Sequence, residues 1–463
     1  MCCDREESLE FISVVSSSGV DIRLKIYHNN QELQASRKNP RDSSLSQHIG
    51  SHYDVIVIGG GASGMFAAGK AGENGKRVLL IEKNKELGKK LSITGGGRCN
   101  ITNAEKDVRK FLSNYKEADK FLFSPFSQFG VVDTFKFFES RDLPLVVESG
   151  KRAFPQSQSA PEVTATLKKY MTKNGVTLKV GYKAQGFIVR EGKIVGLETN
   201  KESFSADSFI LATGGSSHKE TGSTGEGIEW LTTLGHTVHK PDPDIVPLRV
   251  EDQWVKDLSG TALSFMKITF TDLNYSKKLR FSKTGRLLFT HFGLSGPLIL
   301  NSAHEVKTLL KRGPVRAFID LSPDTEVGTL RNRVLENFTI NKNKMLRSVL
   351  KEFVPAGMHS AVASLLPKEL QDKKIHSISK EERYALVDMI KAMPMVITGT
   401  MGYDFAVVSD GGVELSEIDT KTMRSKIHKN LYFTGDVLNI SRPSGGFSLQ
   451  LCWTTGWVAG NSV

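Results

Sequence analysis

Hydrophobic residues in this chain occur in short uninterrupted runs separated by glycine-rich turns and helical stretches. Residues 54–58 are apolar after Asp54, and residues 59–64 contain four glycines. A helical stretch follows, and then a second apolar run, residues 77–81, ends at Glu82. Because continuous apolar runs of this length are typical of buried strands in a parallel sheet, the order predicts a strand, a turn, a helix and a second strand.

Weaker patterns predict elements in the rest of the chain. Helical spacing recurs at residues 163–174, 330–338, 345–353 and 380–392, the last with Ser379 and Glu382 at capping-box spacing. Short strands are predicted at residues 176–180, 187–189, 194–198, 208–212, 262–273, 286–290, 297–302, 315–321, 394–398, 404–408 and 430–436. An apolar helix is predicted to begin after Gly445 and Gly446.

The pattern changes character after Pro247, where several strands follow one another. We therefore expect an α/β protein with a two-segment Rossmann-like FAD-binding domain, interrupted by an inserted β-barrel-like and helical domain. The predicted boundaries are an N-terminal extension at 1–51, a first cofactor segment at 52–246, the insertion at 247–393 and a second cofactor segment at 394–463. In the extension, residues 11–27 predict a hairpin with its turn at 16–19, and residues 39–50 predict a linker.

Composition narrows the class of protein. The 463 residues are 39% hydrophobic with a mean hydropathy of −0.24, and no apolar run approaches the ~20 residues that cross a bilayer. Acidic residues near the start argue against a signal peptide. The four cysteines form neither a Cys-x-x-Cys pair nor a regular framework. We expect a soluble, cytoplasmic protein without membrane contact, and the sequence predicts no metal site.

The charge balance is basic, with 62 lysines and arginines against 50 acids. A surplus of this kind attracts polyanions and also suits acidic small substrates. The lysines are scattered and no compact cluster of arginine and aromatic residues stands out. We therefore favour a solvated basic surface and a small-molecule substrate over a nucleic-acid partner, which the composition still permits. The sequence gives no indication of the oligomeric state.

The glycine turn has the order required to hold an adenine dinucleotide. Gly59 permits the tight turn out of the strand, Gly61 lets the backbone approach a pyrophosphate, and Gly64 lets the helix pack on the sheet. The helix then starts at the phosphates with its unpaired N–H groups. Glu82, 18 residues after Gly64, is placed to accept ribose hydroxyls. NAD and FAD both suit these residues, and the alternative is a βαβ turn that has a structural role only and binds no ligand.

The sequence after Glu82 favours the flavin. Residues 89–100 read Lys-Lys-Leu-Ser-Ile-Thr-Gly-Gly-Gly-Arg-Cys-Asn, which resembles the signature of the aminoacetone-oxidase-type family of FAD-binding oxidoreductases, a family that includes bile-acid reductases of gut bacteria. Further blocks similar to the family lie at residues 152–155, 210–215, 222–225, 289–297 and 422–426. Together they span the chain from Asp54 to its carboxyl end, so the resemblance implies the same cofactor and the same inserted domain.

The glycine turn and the resemblance together give a set of expected FAD contacts. They are Gly59, Gly61, Ala62, Ser63, Gly64, Glu82, Lys83, Lys89, Gly95, Arg98, Cys99, Asn100, Ala184, Thr213, Gly214, Gly435, Asp436, Gly446 and Phe447. The resemblance implies that Asp436 holds the ribityl chain or the pyrophosphate. It also implies that the helix opened by Gly446 and Phe447 points its amino end at the pyrimidine edge of the flavin ring.

This chain departs from the family pattern at three places. It has Ser-His-Lys at residues 217–219, Val-Leu-Asn-Ile-Ser-Arg-Pro-Ser at 437–444, and Phe447 with Ser448 where relatives usually carry a Tyr-Asn pair. These departures cluster where a substrate is expected, so the sequence supports the cofactor better than the substrate.

Arg98 and His291 are the candidate catalytic residues. A guanidinium beside the ring can bind a substrate carboxylate or stabilise a flavin anion, although a phosphate clamp for FAD is an equal alternative for Arg98. His291 can donate a proton near neutral pH, against the simpler alternative that it only satisfies its loop. Cys99 is expected to be a packed residue rather than a nucleophile, and Tyr403 and Arg442 are weaker candidates.

The resulting hypothesis is an FAD-dependent oxidoreductase that passes a hydride between flavin and a small organic substrate. Reduction of an enone or unsaturated acid and oxidation of an amine both remain open. Because no second dinucleotide fingerprint follows a strand, NAD(P)H is expected only as a transient reductant. The alternatives are a flavin-dependent RNA-modifying protein and a non-catalytic FAD-binding scaffold.

Overall fold

The computed structural model describes residues 11–15, 21–25, 51–272 and 279–463. It divides into two compact units, residues 1–48 and 49–463, which are described separately. In the first unit, β1 (Phe11–Val15) and β2 (Asp21–Lys25) pair antiparallel with Phe11 opposite Lys25. The predicted hairpin is present as this strand pair, while its predicted turn at 16–19 and the predicted linker at 39–50 lie outside the described residues.

The second unit contains all the other elements. Its strands up to residue 244 are β3 (His52–Ile58), β4 (Val78–Glu82), β5 (Thr102–Asn103), β6 (Leu145–Glu148), β7 (Arg152–Pro155), β8 (Thr177–Val180), β9 (Ala184–Arg190), β10 (Lys193–Thr199), β11 (Ser203–Leu211) and β12 (Val238–Asp244). Its helices in this stretch are α1 (Ala62–Glu73), α2 (Val108–Leu112), α3 (Asp119–Gln128), α4 (Val131–Glu139), α5 (Ala160–Lys173) and α6 (Glu226–Thr233).

The inserted part and the carboxyl-terminal part follow. The insertion contains β13 (Leu248–Val250), α7 (Gln253–Asp257), β14 (Ala262–Thr271), β15 (Phe281–Thr290), β16 (Gly293–Ser295), α8 (Pro297–Leu300), α9 (Ala303–Leu310), β17 (Val315–Asp320), α10 (Val327–Ile340), α11 (Leu346–Val349), α12 (His359–Leu365), α13 (Lys368–Gln371), α14 (Lys380–Lys391) and β18 (Met393–Thr400). The last part contains β19 (Val408–Val413), β20 (Ile418–Asp419), β21 (Arg424–Ser425), β22 (Leu431–Phe433) and α15 (Phe447–Ser462).

The predicted strand, turn, helix and strand form the centre of the main sheet. β3 lies between β4 and β11, and all three run parallel, with Ile58 level with Ile81 and Leu211. β22 joins the other side of β11, also parallel, so a strand from the end of the chain completes the sheet begun near residue 52. Helix α1 covers this sheet and packs in turn against α15. The two cofactor segments therefore fold into one layer.

The inserted part closes a barrel. Among the described residues, six antiparallel strands pair in the order β13, β16, β15, β14, β17, β18 and back to β13. Their inward side chains share a second hydrophobic core with the helices α7 and α10 to α14, separate from the core of the main sheet. The predicted barrel-like and helical insertion is thus confirmed.

Of three predicted strands, one is a helix, one is a strand of a different sheet from the one expected, and one begins later than predicted. Residues 297–300 form α8 and residues 301–302 a turn, because Pro297 suits the first turn of a helix and Gly296 turns the chain before it with a φ of 91°. Residues 394–398 belong to β18, which pairs with β13 and β17 of the barrel and not with the main sheet. Residues 404–408 are mostly a turn, and the strand there begins only at Val408 and pairs with β12.

Across the described residues, the helices are too short or too polar to pass through a bilayer.

Candidate active site

A cleft of the second unit opens at the carboxyl ends of β3, β4 and β11. It contains about 1210 Å³ of empty space, part of it open to solvent. The walls come from the turn after β3, the start of α1, the end of β4, residues 88–94 and 212–214, the loop 221–227, and residues of the last segment. A ligand site is expected here, because β3 connects to β4 on one side and has β11 on the other, which makes this a switch point of the sheet.

Two glycines of the turn exclude any side chain. Gly59 has a φ of +107°, and a Cβ there would lie 2.5 Å from the carbonyl oxygen of Ala212 on the neighbouring strand. A Cβ on Gly64 would lie 1.9 Å from the carbonyl oxygen of Gly59. The roles predicted for these residues, a tight turn and close packing of helix on strand, follow directly from these distances.

Gly61 is different, because nothing lies within 4 Å of where its Cβ would be. It is the N-cap of α1, no side chain caps that helix, and Ala62 and Ser63 of its first turn lie in the cleft wall. The first N–H groups of the helix have no partner within the helix and carry partial positive charge. The turn therefore offers an open, uncapped helix start to an anion.

Glu82 is held at the end of β4 by three donors. Its Oε2 accepts a hydrogen bond from the Gly60 N–H at 2.8 Å, and its Oε1 accepts from the backbone N–H and the side-chain amide of Asn84 at 2.7 and 2.8 Å. The residue is only 8% exposed. Because a carboxylate has about four acceptor sites, one remains for a ribose hydroxyl.

Buried charged side chains meet at one end of the cleft, where Lys90 and Asp436 lie in the wall. The Arg442 guanidinium, with a side chain 1% exposed, donates to the Asp436 carboxylate and to the Ser448 hydroxyl. The Lys90 ammonium donates to the Ser217 hydroxyl at 2.6 Å and lies 3.9 Å from Asp436. Burial lowers the pKa of Lys90, and the Asp436 carboxylate opposes this effect. Two cations thus enclose one carboxylate at this end of the cleft.

These features fit an adenine dinucleotide. The space beside Gly61 suits a phosphate, the remaining acceptor site of Glu82 suits a ribose, and the buried Thr213 Oγ1 in the wall has no hydrogen-bond partner. The family model for the HI0933-like protein Rossmann domain matches residues 53–462.

The chain belongs to the HI0933-like family.

This HI0933-like chain is an FAD-dependent oxidoreductase, so the enzyme class, the fold and the FAD cofactor predicted from the sequence are confirmed. It is 29% identical to the 3-dehydro-bile acid delta(4,6)-reductase of Clostridium scindens, over 88% of this chain and 98% of that protein. It is 27% identical to the ribosomal RNA dihydrouridine synthase of Escherichia coli, over 89% and 98%, and 29% identical to that of Haemophilus influenzae, over 90% and 99%.

Solved structures show the same fold at low identity. The 3-ketosteroid delta1-dehydrogenase of Sterolibacterium denitrificans aligns with a TM-score of 0.51 at 13% identity, over 89% of this chain and 99% of that chain. The 3-ketosteroid-delta4-(5alpha)-dehydrogenase of Rhodococcus jostii RHA1 aligns with a TM-score of 0.50 at 14% identity, over 91% and 99%. The likeness of the HI0933-like chain to these dehydrogenases is one of fold.

The structure brings many of the expected FAD contacts into one wall. They are Gly59, Gly61, Ala62, Ser63, Glu82, Lys83, Lys89, Ala184, Thr213, Gly214 and Asp436. The other expected contacts lie outside it: Gly64, Gly95, Arg98, Cys99, Asn100, Gly435, Gly446 and Phe447. Gly64 and Gly435 are placed behind the wall, where a side chain on either would strike Gly59 or Ser63.

Residues that follow the glycine string 95–97 in the sequence contact the start of α15. A Cβ on Gly446 would lie 2.3 Å from the Thr102 carbonyl carbon. The Asn100 amide, in the orientation that satisfies its surroundings, accepts from the Gly446 N–H at 3.0 Å. Phe447 packs on Phe111 with ring centroids 4.9 Å apart. These residues fix where α15 begins, and Ser448 and Leu449 of its first turn then enter the cleft wall.

Neither predicted catalytic residue lies in the cleft wall. The Arg98 guanidinium donates to Glu148 and to Gln158 and lies 4.1 Å from the centre of the Phe154 ring. His291 is exposed in the turn between β15 and β16 and lines a separate depression with Arg249 and Lys256. Their proposed roles stay predictions.

Cys99 and Cys452 are both protonated thiols at neutral pH. Burial raises the pKa of each to about 12. Cys99 is completely buried and Cys452 lies in the cleft wall. Because the thiolate is the nucleophile, neither residue is suited to covalent chemistry.

Sequence reasoning missed Lys90, and it ranked Arg442 only as a weak candidate. Lys90 stands in the family string, but nothing in its neighbours distinguishes a buried lysine from a solvated one. Arg442 lies in a segment that departs from the family pattern, and such a departure suggests contact with the substrate more readily than a buried ion pair. The useful signal was that Arg442 follows Asp436 by only six residues in the sequence, so that one short segment brings an acid and a base together.

Proposed function

We propose that this enzyme reduces a carbon–carbon double bond conjugated to a carbonyl group. Bound FAD supplies the hydride in a reaction of this kind. Support comes from the names of its relatives, since one reduces delta(4,6) bonds of a 3-dehydro-bile acid and two form dihydrouridine. In each substrate the bond that becomes saturated is conjugated to a carbonyl. One chemistry thus accounts for relatives with very different substrates.

The observation that carries the proposal is that two uncapped helix starts share one cleft. The first turn of α1 offers N–H groups beside Gly61, and the first turn of α15 does so at Ser448 and Leu449. A helix start stabilises negative charge without needing a charged side chain. The start of α1 is suited to bind the pyrophosphate, and that of α15 to stabilise charge that develops during reduction.

We also propose NAD(P)H as the reductant and the cytoplasm as the compartment. NAD(P)H would reach the flavin from the open side of the cleft, as the substrate does. The cytoplasm is supported by Cys99 and Cys452, which are both free thiols.

The test is a half-reaction experiment on the FAD-loaded protein. The flavin is reduced without oxygen by NADH or NADPH, then mixed with a 3-oxo-Δ4 steroid, with its saturated 3-oxo analogue as the matched control, or with buffer. We expect the absorbance of oxidised flavin to return only with the unsaturated compound, together with a product two mass units heavier. If a panel of conjugated enones and uracil compounds all fail while the flavin remains bound and reducible, the proposal is wrong.

A second candidate substrate is a uracil base within RNA. Residues 247–400 contain 24 basic and 15 acidic residues, which gives +9 of the +12 carried by the whole chain. Phe265 and Lys267 of β14 and Arg286 of β15 are exposed on the outer side of the barrel, and Phe265 is 49% exposed. An aromatic side chain among cations is a common platform for single-stranded RNA.

The variant Lys267→Glu/Arg286→Glu separates the two substrates. If RNA is the substrate, we expect weaker, salt-dependent RNA binding and slower flavin reoxidation by RNA, with unchanged reoxidation by a small enone. The matched control is Lys168→Glu/Lys169→Glu on α5, far along the chain from the barrel. Equal RNA binding by both variants and the wild type would remove RNA from consideration.

A further inference from the structure

The structure contains a second cluster of polar side chains at the connection between the main sheet and the barrel. Strands β12 and β19 form a separate antiparallel pair in which Asp242 lies opposite Asp410, and Asp244 lies opposite Val408. Because side chains alternate along a strand, Asp242, Asp244 and Asp410 share one face of this pair. Helix α9 presents His304 and Lys307 to that face, three residues apart and hence on one side of the helix.

Lys307 contacts two of the three carboxylates. Its ammonium donates to Asp242 and to the Pro243 carbonyl, both at 2.7 Å, and lies 3.6 Å from Asp244 Oδ1. The third carboxylate, Asp410, has the His304 imidazole beside it and also feels the charge of the Arg442 guanidinium.

Two buried atoms of the cluster have no hydrogen bond. Asp244 is 3% exposed, and its Oδ1 has no donor within hydrogen-bond distance. The His304 Nδ1 is also buried without a partner, and it lies 3.8 Å from Asp410 Oδ2. A buried carboxylate oxygen without a donor costs free energy, so such an atom calls for a partner. An imidazole lone pair beside two carboxylates is a set of metal ligands.

We propose that Asp244, His304 and Asp410 bind a divalent transition-metal ion. One ligand atom from each residue lies within 4.8 Å of the others. Zn²⁺ with bonds of about 2.0–2.1 Å holds its ligand atoms about 3.4 Å apart, so a contraction on the order of 1 Å completes the site. The nitrogen and oxygen ligands favour Zn²⁺ or Mn²⁺ over Mg²⁺, which prefers oxygen alone.

The site would tie the barrel to the strands that connect it to the cofactor domain. His304 belongs to the insertion, whereas Asp244 and Asp410 belong to the two connecting strands. Val408 of β19 also lies in the wall of the large cleft, and Ser409 accepts a hydrogen bond from the Ser216 N–H at 2.8 Å. A bound ion would therefore fix the position of β19 beside the cofactor cleft.

The test is metal binding to the FAD-loaded protein after dialysis against a chelator. Zn²⁺ and Mn²⁺ are titrated separately by calorimetry, and thermal unfolding is followed with and without each ion. We expect one ion per chain, a higher Tm with metal, and an affinity lowered at least about tenfold in His304→Gln and in Asp410→Asn. The matched control His359→Gln, on α12, should bind as the wild type does.

Two results would overturn the proposal. One is the lack of stoichiometric binding by the wild-type protein. The other is binding that both cluster variants retain unchanged, which would assign the ion to another part of the surface. His304→Gln and Asp410→Asn change different elements, so a misfolded variant of one leaves the other as a test. The flavin spectrum and the far-ultraviolet circular dichroism of each variant show whether it is folded before its affinity is compared.

Discussion

Replacing Gly61 with alanine should separate FAD binding from folding. A Cβ at residue 61 meets no atom within 4 Å, and the backbone there has a φ of −81° that alanine adopts freely. The change should stabilise the fold by about 0.4–1 kcal/mol, because alanine lowers the conformational entropy of the unfolded chain. Alanine is a poorer N-cap than glycine, which costs a similar amount. The two effects oppose each other, so we expect the free energy of unfolding of the apoprotein to change by less than about 1 kcal/mol.

The effect on FAD should be much larger. The new methyl group occupies the space where the pyrophosphate approaches the start of α1, so at least one charge-assisted hydrogen bond is lost. Such a bond contributes about 1.5–3 kcal/mol, which corresponds to a Kd for FAD raised about 10- to 150-fold. The Kd is measured by titrating apoprotein with FAD and following flavin fluorescence, and the stability by thermal unfolding of the same apoprotein.

Two other glycines supply the controls. Gly328→Ala makes the same chemical change on α10 with nothing within 4 Å, and should leave FAD binding untouched. Gly64→Ala places a Cβ 1.9 Å from the Gly59 carbonyl oxygen and should destabilise the apoprotein itself, by about 1–3 kcal/mol or more. Wild-type affinity in Gly61→Ala, or loss of apoprotein stability as large as that of Gly64→Ala, would refute the assignment of this turn to the pyrophosphate.

Three further changes test other parts of the site and fold. Glu82→Gln places an NH₂ group against N–H donors and removes the carboxylate oxygen that is free to accept a ribose hydroxyl. FAD titration should then show a Kd raised about 10- to 100-fold, and an unchanged Kd would contradict the ribose role. Asp436→Asn leaves Arg442 buried without its carboxylate and should lower the free energy of unfolding in urea by about 3–5 kcal/mol; a loss below 1 kcal/mol would show that the pair is not needed. Burial lowers the pKa of His236 in the folded protein, and the Glu417 carboxylate opposes this effect. The neutral His236 therefore contributes its full stabilisation above the unfolded pKa of about 6.5, and this stabilisation is lost as the pH falls toward the folded pKa. Between pH 7 and 5 the Tm should fall less steeply in His236→Asn than in the wild type, and parallel curves would be evidence against this linkage.

The parts of the site that the sequence predicted well are local. Gly59, Gly64 and Glu82 are fixed by one strand, one helix and one further strand in direct succession, and their spacing alone determines where they meet. The capping box at Ser379 and Glu382 is equally local, and both of its hydrogen bonds are present. In each case the interacting groups lie within one short stretch of the sequence, whose local structure alone brings them together.

The parts that sequence analysis missed depend on distant segments. Lys90 meets Asp436 from 346 residues away, and the cluster at Asp244 combines three separate elements. The predicted strand at 297–302 was wrong because a short apolar run has no period long enough to distinguish strand from helix. Residues 394–398 have strand character in either location, so only their pairing with β13 and β17 shows that they belong to the barrel.

Basic side chains are distributed unequally between the insertion and the rest of the chain. Residues outside 247–400 have a surplus of only three basic side chains, although they form the whole cleft wall at β3, β4 and β11. The phosphates of FAD do not need that surplus, because helix starts supply the positive potential. The insertion has a surplus of nine after every acidic side chain in it is counted, including those paired with Lys283 and Lys391. The cofactor therefore does not account for this excess, and the salt dependence of RNA binding by Lys267→Glu/Arg286→Glu tests whether the excess serves a polyanion or is only a solvated basic surface.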